Sequence, residues 1–284
     1  MTNIHILCEL KDLIHGCVMK RPSATCKTPY VADISLQNDS SETSILGHTP
    51  ALGCCGLVDK DAIVLLSKKK EQKKSVTSHI VYLSRFTNTF TEKTTYVGVH
   101  PGLAETIAEN ALSLNLLSRL PNVQSYKRQV KHLNSRFDFA GIDRDGKPFV
   151  LEVKCVPLCK PKEFKSHKAS HTPNSSVELT TRAYFPDGYR KKKDEPVSPR
   201  ALKHVQELQI MATQHNHRAL LCFVILRSDA TTFEINEHDP IYKSAVDEAI
   251  ANGVEIITLQ VHWTESGIAY FVTDSLPFYQ FGNV

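Results

Sequence analysis

Two apolar stretches, Ser135–Ile142 (SRFDFAGI) and Pro148–Val156 (PFVLEVKCV), decide the fold of the second part of this chain. Each is short and rich in aromatic or β-branched residues, which is typical of a buried strand. Arg-Asp-Gly at 144–146 lies between them, and Gly146 suits the last position of a three-residue loop because it accepts a positive φ. The sequence therefore predicts a β-hairpin in which residues i and 290 − i face each other.

Charged residues interrupt these strands at Asp138, Glu152 and Lys154. Glu152 and Lys154 are two residues apart, so their side chains leave the same face of the sheet. The three-residue loop places Asp138 opposite Glu152 on that face, whereas a two-residue loop would place it on the other. A carboxylate inside a core-forming strand is unusual unless it is paired or binds a metal.

This trio has a clear chemical use. Carboxylate oxygens are hard ligands that hold Mg²⁺ or Mn²⁺, and such a metal lowers the pKa of a bound water. Lys154 can orient that water or stabilise developing negative charge. Glu109, on the preceding helix, could supply an additional carboxylate. The alternative interpretation of the trio is a cross-strand charge network at the surface.

Like-charge repulsion between Asp138 and Glu152 leads to a further expectation. Two carboxylates that share a site cannot both ionise easily, so one of their pKa values should be raised when no metal is bound.

The chain divides into two predicted domains. Residues 1–92 contain short strands, such as 62–66 and 79–83, separated by turns, and they predict a small β-barrel. Residues 93–284 alternate between helical and strand periodicity and predict a mixed α/β sheet sandwiched by helices. Helices are expected after Pro101 and at 201–213 and 241–251. Strands are expected at 123–131, 219–226, 254–261 and 268–272, in addition to the hairpin.

Composition limits the class of protein. The 284 residues are 41% hydrophobic with a net charge of +4, which permits a polyanionic partner without requiring one. Eight cysteines without framework spacing indicate reduced thiols rather than a disulfide scaffold. Neither a signal peptide nor an apolar stretch long enough to span a bilayer is recognised. We expect an intracellular protein of the cytoplasm, with the nucleus as an open alternative and no membrane partner.

Basic residues in three segments are candidate nucleic-acid contacts. A solvated loop is the other interpretation of the first two segments, and for the run at 68–74 it is the favoured one. A mobile loop is expected at 159–176. The candidate residues are Lys68, Lys69, Lys70, Lys162, Lys165, Arg190 and Lys191.

A zinc site is a weaker hypothesis. Two cysteines and two histidines have the spacing C-x3-C-x7-H-x3-H, but the central spacing is short for a zinc finger, so free thiols and loop histidines are favoured. The four residues are Cys155, Cys159, His167 and His171.

Seven segments in the region of roughly 97–260 together resemble the sugar fermentation stimulation protein (SfsA) family. They are 134–139 (NSRFDF), 151–156 (LEVKCV), 183–188 (AYFPDG), 203–208 (KHVQEL), 217–224 (HRALLCFV), 239–242 (DPIY) and 251–255 (ANGVE). The segments occur in family order, which makes them more specific together than any single motif.

The resemblance implies an N-terminal OB-like barrel, a C-terminal nuclease-like domain of the PD-(D/E)xK superfamily, and DNA binding. Asp138, Glu152 and Lys154 match the acidic pair and lysine of that superfamily, and Glu109 matches its helix glutamate. The implied activity is Mg²⁺- or Mn²⁺-dependent hydrolysis of DNA phosphodiesters, with single-stranded or flapped DNA as a plausible substrate. The alternatives are a DNA-binding regulator with a vestigial nuclease site and an RNA-processing enzyme.

Overall fold

The structure is a computed structural model that describes residues 4–37, 44–50, 54, 56–70, 75–88, 92–161, 181–188 and 195–279. Three helices lie in this part of the chain: α1 (Gly102–Ser113), α2 (Pro199–Gln214) and α3 (Pro240–Ala251). The strands are β1 (Ile6–Glu9), β2 (Ile14–Lys20), β3 (Val31–Leu36), β4 (Ile45–His48), β5 (Ile63–Lys68), β6 (His79–Thr87), β7 (Thr94–Gly98), β8 (Ser125–His132), β9 (Ser135–Ile142), β10 (Pro148–Val156), β11 (Cys159–Pro161), β12 (Thr181–Phe185), β13 (Arg218–Ile225), β14 (Thr232–Ile235), β15 (Glu255–Trp263), β16 (Ile268–Thr273) and β17 (Phe278–Tyr279).

Five strands of the N-terminal part form a closed ring. β3 pairs with β2 and β4, β2 pairs with β5, β5 pairs with β6, and β4 closes the ring by a short parallel pairing with β6. Val18, Ile34, Val64 and Val81 are buried in one apolar cluster within this part. The strands predicted at 62–66 and 79–83 are confirmed as β5 and β6, and the ring is barrel-like.

A long mixed sheet continues from this ring. Its order is β6-β7-β15-β13-β10-β9-β8. β16 also pairs with β15, along the edge of β15 opposite to β13, and β1 pairs with β16. β13 runs parallel to both β10 and β15, and residues 219–225 are buried throughout. A strand covered on both faces needs apolar residues at successive positions, which explains the unbroken apolar run that predicted it.

Helices cover both faces of this sheet. Leu103 and Ile107 of α1 pack with Leu151 and Leu220. On the opposite face, α2 and α3 pack with Leu221 and Phe223. Consecutive strand residues thus alternate between two cores, as the period of a strand requires. The predicted α/β sheet between helices is confirmed.

The predicted helices are confirmed, with boundaries set by local chemistry. α2 begins after Ser198, whose Oγ accepts a hydrogen bond from Ala201 N at 3.2 Å. α3 begins after Asp239, whose carboxylate accepts from Tyr242 N at 3.1 Å. Both have proline at the first helical position, which pre-sets φ there and costs no backbone hydrogen bond.

One part of the predicted organisation was wrong and another was missed. Cys159–Pro161, expected to begin a loop, forms β11 and pairs with β12. β12 also pairs with β14, which pairs with β17, so a second sheet of four strands exists that the sequence did not reveal. These strands have only two to five residues, too few for a periodic signal. The remainder of the expected loop, 162–176, lies outside the described residues.

The hairpin of β9 and β10 has the predicted register. Pro148 faces Ile142 and Leu151 faces Phe139, so each pair of numbers sums to 290. Gly146 has a φ of +80°, and a Cβ there would meet nothing within 4 Å. The three-residue loop is confirmed, and the left-handed backbone at its last position explains the glycine.

Candidate active site

Asp138 lies where the pairing of β9 with β10 stops. The regular pairs end at Leu151 and Phe139. Beyond them, Val153 N donates to Asp138 Oδ2 at 2.8 Å, so a side chain accepts a hydrogen bond that a backbone carbonyl would otherwise accept. Gln129 Nε2 donates to Asp138 Oδ1 at 3.0 Å. Both carboxylate oxygens are therefore held in place inside the sheet.

The two strands around Asp138 change faces at this point. Phe139 packs in the core under α1, whereas Phe137, only two residues away, packs in the core under α2 and α3. On the neighbouring strand β8, Gln129 faces this position with a φ of +53°. A glutamine with positive φ inside a strand is uncommon and marks local strain, which often accompanies a functional site.

Glu152, Lys154 and His204 form a buried cluster on the face covered by α2. Lys154 Nζ donates to Glu152 Oε1 at 2.5 Å, and His204 Nδ1 contacts the same oxygen. Lys154 Nζ is also 3.4 Å from His204 Nδ1. Glu152 is only 3% exposed, and its Oε2 has no hydrogen-bond partner among the described residues. One oxygen of this carboxylate is thus tightly held and the other is unused.

The two carboxylates have opposite pKa shifts. Burial and then the charge of Glu152 raise the pKa of Asp138 to about 6. Burial alone would also raise the pKa of Glu152, but Lys154 and His204 stabilise its charged form and lower that pKa. The predicted rise of one pKa thus falls on Asp138, with burial as the larger cause.

Two glutamates of α1 reach this site through β8. Glu109 Oε2 is 3.0 Å from Arg128 Nη1, and the same guanidinium is 3.4 Å from Glu105 Oε2. Gln129 Nε2 lies 3.1 Å from Glu105 Oε2 and also donates to Asp138. Glu105 is therefore linked to Asp138 through one amide, whereas the glutamate predicted from the sequence, Glu109, is paired with Arg128.

Sequence reasoning missed Glu105, Gln129 and His204. Glu105 does have a local signal, since residues four apart on a helix share a face and Glu109 is itself a candidate. His204 is a polar residue on the inward face of α2, but nothing local identifies what it contacts 52 residues earlier in the chain.

The donor set fits a small divalent cation. Glu152 Oε2, buried and without a partner among the described side chains and backbone, is a hard oxygen that a cation would satisfy, and Asp138 is a second carboxylate next to it. Among the described residues, no three His, Cys, Asp or Glu side chains already form a metal-binding group. Mg²⁺ usually needs only one or two carboxylates, because waters and substrate phosphates complete its shell.

The other candidate residues lie apart from this site or outside the described residues. Lys68 and Lys70 are exposed, and Lys69 Nζ donates to Ser75 Oγ at 3.2 Å. Lys68 ends β5, which five strands of the sheet separate from β9. Lys162, Lys165, Arg190 and Lys191 lie outside the described residues.

The proposed zinc ligands are only half described. Cys155 and Cys159 are free thiols, and burial raises the pKa of each, that of Cys159 to about 11. His167 and His171 lie outside the described residues, so the zinc site stays a prediction. Within the described chain, no helix has the length and apolar content needed to cross a bilayer.

Comparison with known proteins yields consistent relatives. Residues 102–168 and 174–267 match the family model described as the sugar fermentation stimulation protein RE domain. A sugar fermentation stimulation protein homolog of Brucella ovis is 30% identical over 241 residues, which cover 84% of this chain and 86% of that protein. A homolog of the same name from Shewanella frigidimarina is 26% identical over 259 residues, 90% of this chain and 93% of that one.

A solved structure has the same fold. It is that of Pyrococcus furiosus SfsA in complex with Ca²⁺, and it superimposes with a TM-score of 0.71 at 20% sequence identity. The match covers 97% of this chain and 100% of the other.

Proposed function

The chain belongs to the sugar fermentation stimulation protein family, and from that premise we propose that it is a divalent-metal-dependent nuclease that hydrolyses phosphodiester bonds in DNA. The proposal includes membership of the PD-(D/E)xK superfamily for residues 93–284. The observation that carries it is the arrangement of Asp138, Glu152 and Lys154, in which a buried carboxylate oxygen beside a lysine has no partner in the described part of the chain.

Each residue has a role that its contacts support. Asp138 and Glu152 supply oxygen ligands to Mg²⁺ or Mn²⁺. The relative of known structure forms a Ca²⁺ complex, which supports a divalent-cation site in this family. When bound, such a metal supplies a water of lowered pKa and positive charge next to the phosphate oxygens.

Lys154 and His204 prepare this site from the chain's own side. Both contact Glu152 Oε1, so they hold the carboxylate in one orientation and keep it ionised. The ammonium of Lys154 has three protons, and Glu152 uses one of them. The others are free to donate to an attacking water or a phosphate oxygen, where negative charge develops during hydrolysis.

Two further parts of the chain fit the same reaction. Glu105, linked to Asp138 through Gln129, adds negative charge next to the site and supports a second ion, as does Glu109 once released from Arg128. We assign the barrel-like ring an OB-like role in holding single-stranded or flapped DNA, with Lys68 and Lys70 exposed on it. OB folds bind single strands by stacking and charge.

Cleavage of labelled DNA tests the proposal directly. Single-stranded, double-stranded and flapped substrates are incubated with Mg²⁺ or Mn²⁺ and wild-type protein, Glu152→Ala or Lys154→Ala. Lys243→Ala and Glu248→Ala, on α3, are matched controls that remove the same charges elsewhere. We expect metal-dependent cutting that both site variants lose and both controls retain.

Other outcomes would redirect the assignment. DNA binding without cutting would indicate the regulator with a vestigial site. Cleavage of RNA alone would indicate the RNA-processing enzyme. Cutting that survives both site substitutions would leave this site without a role.

Metal binding gives a readout independent of cleavage. A ligand that binds only the folded state stabilises it. Mn²⁺ should therefore raise the melting temperature of the wild type and not that of Asp138→Ala. Equal shifts in both proteins would contradict the metal site.

A further inference from the structure

The outermost strand of the long sheet is β8, which pairs with β9 and with no other described strand. Five of its eight residues are exposed, and its sequence, SYKRQVKH, contains three lysines or arginines and no acidic residue. Exposed edge strands commonly carry positive charge as protection against edge-to-edge association. That protection does not require basic residues to face each other.

Two basic residues nevertheless face each other at one end of this edge. Lys131 of β8 and Arg136 of β9 are directly paired across the two strands, and both are exposed. Neither forms an ion pair or a side-chain hydrogen bond with any residue in the described part of the chain. Like charges directly opposite each other in a sheet are destabilising, so this pair opposes folding.

The pair lies next to the candidate active site. Arg136 is two residues from Asp138 along β9, and Lys131 is two residues from Gln129 along β8. Two residues of a strand span about 7 Å. Arg128, which adjoins Gln129 on its other side, is neutralised by the glutamates of α1. Lys131 and Arg136 are therefore the positive charges on the α1 side of this edge that have no acidic partner among the described residues.

The direction of the two side chains follows from their neighbours. Val130 and Phe137, the adjacent residues, pack on the α2 side, so Lys131 and Arg136 point the opposite way, toward the side on which α1 lies. Lys127, on the same strand, faces Ala140, which belongs to the core on the α2 side. One strand therefore presents exposed lysines to both faces of the sheet.

We propose that Lys131 and Arg136 bind the backbone phosphates of the nucleic acid strand that enters the active site, an inference that rests on the proposed nuclease function. A polyanion neutralises both charges at once, which removes the repulsion that the free protein retains. Its negative charge complements a strand with no acidic residue of its own. The backbone spacing of about 7 Å between Arg136 and Asp138 places the bound strand at the α1 side of the site, where Gln129 joins Glu105 to Asp138. The contacts are to phosphate and not to bases, so they position the strand without selecting its sequence.

Binding measured without metal separates this surface from catalysis. Fluorescence anisotropy of labelled single-stranded DNA and RNA oligonucleotides of equal length is recorded in EDTA at several salt concentrations. The proteins are the wild type, the double variant Lys131→Ala/Arg136→Ala, the charge-conserving variant Lys131→Arg/Arg136→Lys, and Lys127→Ala as a matched control on the other face. Comparison of the DNA and RNA oligonucleotides shows which of the two nucleic acids supplies the phosphates that this surface binds.

We expect the double variant to bind about tenfold more weakly. The slope of log K against the logarithm of the salt concentration should also be shallower by about 1.4, because each lost contact to a single strand removes about 0.7. The charge-conserving variant and Lys127→Ala should bind like the wild type. The double variant should melt no lower than the wild type, because the like-charge pair opposes folding. If misfolding were the cause of the weaker binding, the double variant would melt at a lower temperature than the wild type.

Each outcome bears on this surface and, separately, on the nuclease. Unchanged binding by the double variant, or equal loss in Lys127→Ala, overturns the phosphate surface even if the wild type cuts DNA. Selective loss in the double variant, with no cutting by the wild type, supports the surface and overturns the nuclease. A wild type that binds neither DNA nor RNA overturns the surface directly.

Discussion

Asp138 and Glu152 show how position inside a sheet separates the chemistry of two similar side chains. Glu152 has a lysine and a histidine on one oxygen, and its pKa is lowered. Asp138 is held by an amide and a backbone N–H, is buried beside that charge, and its pKa rises to about 6. In the metal-free protein at mildly acidic pH, Asp138 is thus the carboxylate that still binds a proton, and a metal would displace that proton.

Replacement of Asp138 by asparagine should make the metal-free protein more stable at high pH. The Asp138 pKa is about 6 in the fold and 3.8 as an isolated group, so the folded state binds the proton more tightly. The wild type then loses stability as pH rises from about 4 to 6, by about 3 kcal/mol, and regains none of it above pH 6. Urea unfolding in EDTA from pH 4 to 8 measures the difference between the two proteins.

The comparison at pH 4 serves as the internal reference, since the side chain at this position is largely neutral in both folded proteins there. The advantage of Asp138→Asn should increase between pH 4 and 6 and then remain constant. A stability difference that does not vary with pH would contradict the raised pKa.

His204 should act as a positioning residue for Glu152. Its removal in His204→Ala leaves Glu152 Oε1 with Lys154 alone, so the carboxylate loses its fixed orientation. Loss of such a supporting partner costs about 10- to 100-fold in metal affinity. Calorimetric titration with Mn²⁺ checks this, and His204→Asn should recover part of the affinity because its amide can still donate to the carboxylate.

His217→Ala is the matched control, because His217 follows α2 at its other end and donates from Nδ1 to the carbonyl oxygen of His215. It should bind Mn²⁺ like the wild type. Equal affinities for the wild type and His204→Ala would show that His204 only fills space.

At the scale of elements, the close approach of β8 to β9 keeps Gln129 against Asp138. A Cβ on Gly141 of β9 would lie 2.0 Å from the carbonyl oxygen of Ser125 and 2.8 Å from the Cα of Tyr126. Both are backbone atoms of β8, so a side chain at this position would push the whole strand away. The glycine is needed for strand spacing and not for an unusual backbone conformation.

Gly141→Ala should therefore lower stability by about 1–3 kcal/mol, the usual cost of overpacking, and should weaken Mn²⁺ binding because β8 carries Gln129. Gly146→Ala is the control, because a Cβ added there would contact nothing and the alanine would be strained only by the positive φ. That variant should lose about 1 kcal/mol and bind Mn²⁺ normally. Chemical denaturation and Mn²⁺ titration of both variants test this distinction. Equal Mn²⁺ affinities of Gly141→Ala and Gly146→Ala would refute it.

At the scale of the whole molecule, the two predicted parts share one core. Leu7, Leu65 and Leu83 from the N-terminal part are buried in the same apolar cluster as α1 and Leu220. β1 pairs with β16 near the other end of the chain, and β6 pairs with β7 to join the ring to the long sheet. Neither part can separate without exposing this apolar surface.

The chain should consequently unfold in a single transition, although it contains a ring and a sheet that resemble separate units. Scanning calorimetry should give equal calorimetric and van't Hoff enthalpies, the mark of two-state unfolding. Leu7→Ala, which opens a cavity in the shared core, should cost about 2–5 kcal/mol and shift the whole transition. Two resolved transitions, with only one affected by Leu7→Ala, would show independent domains.

The sequence by itself determined the local features of this protein. The register of the β9–β10 hairpin followed from an Arg-Asp-Gly loop and a side-chain period of two, and the three helices followed from apolar periodicity. These signals act between residues a few positions apart, where backbone geometry leaves few alternatives. The same locality brought Asp138, Glu152 and Lys154 to one hairpin, so these site candidates follow from the order of residues alone.

Only the tertiary structure decided which distant residues complete the site. His204 meets Glu152 because α2 packs across the sheet, and Glu105 meets Asp138 through Gln129 because both strands change faces there. The closure of the ring between β4 and β6 and the second sheet likewise join segments far apart in the chain. Such contacts are set by the packing of whole elements against shared cores, and no local pattern of residues records which elements will meet.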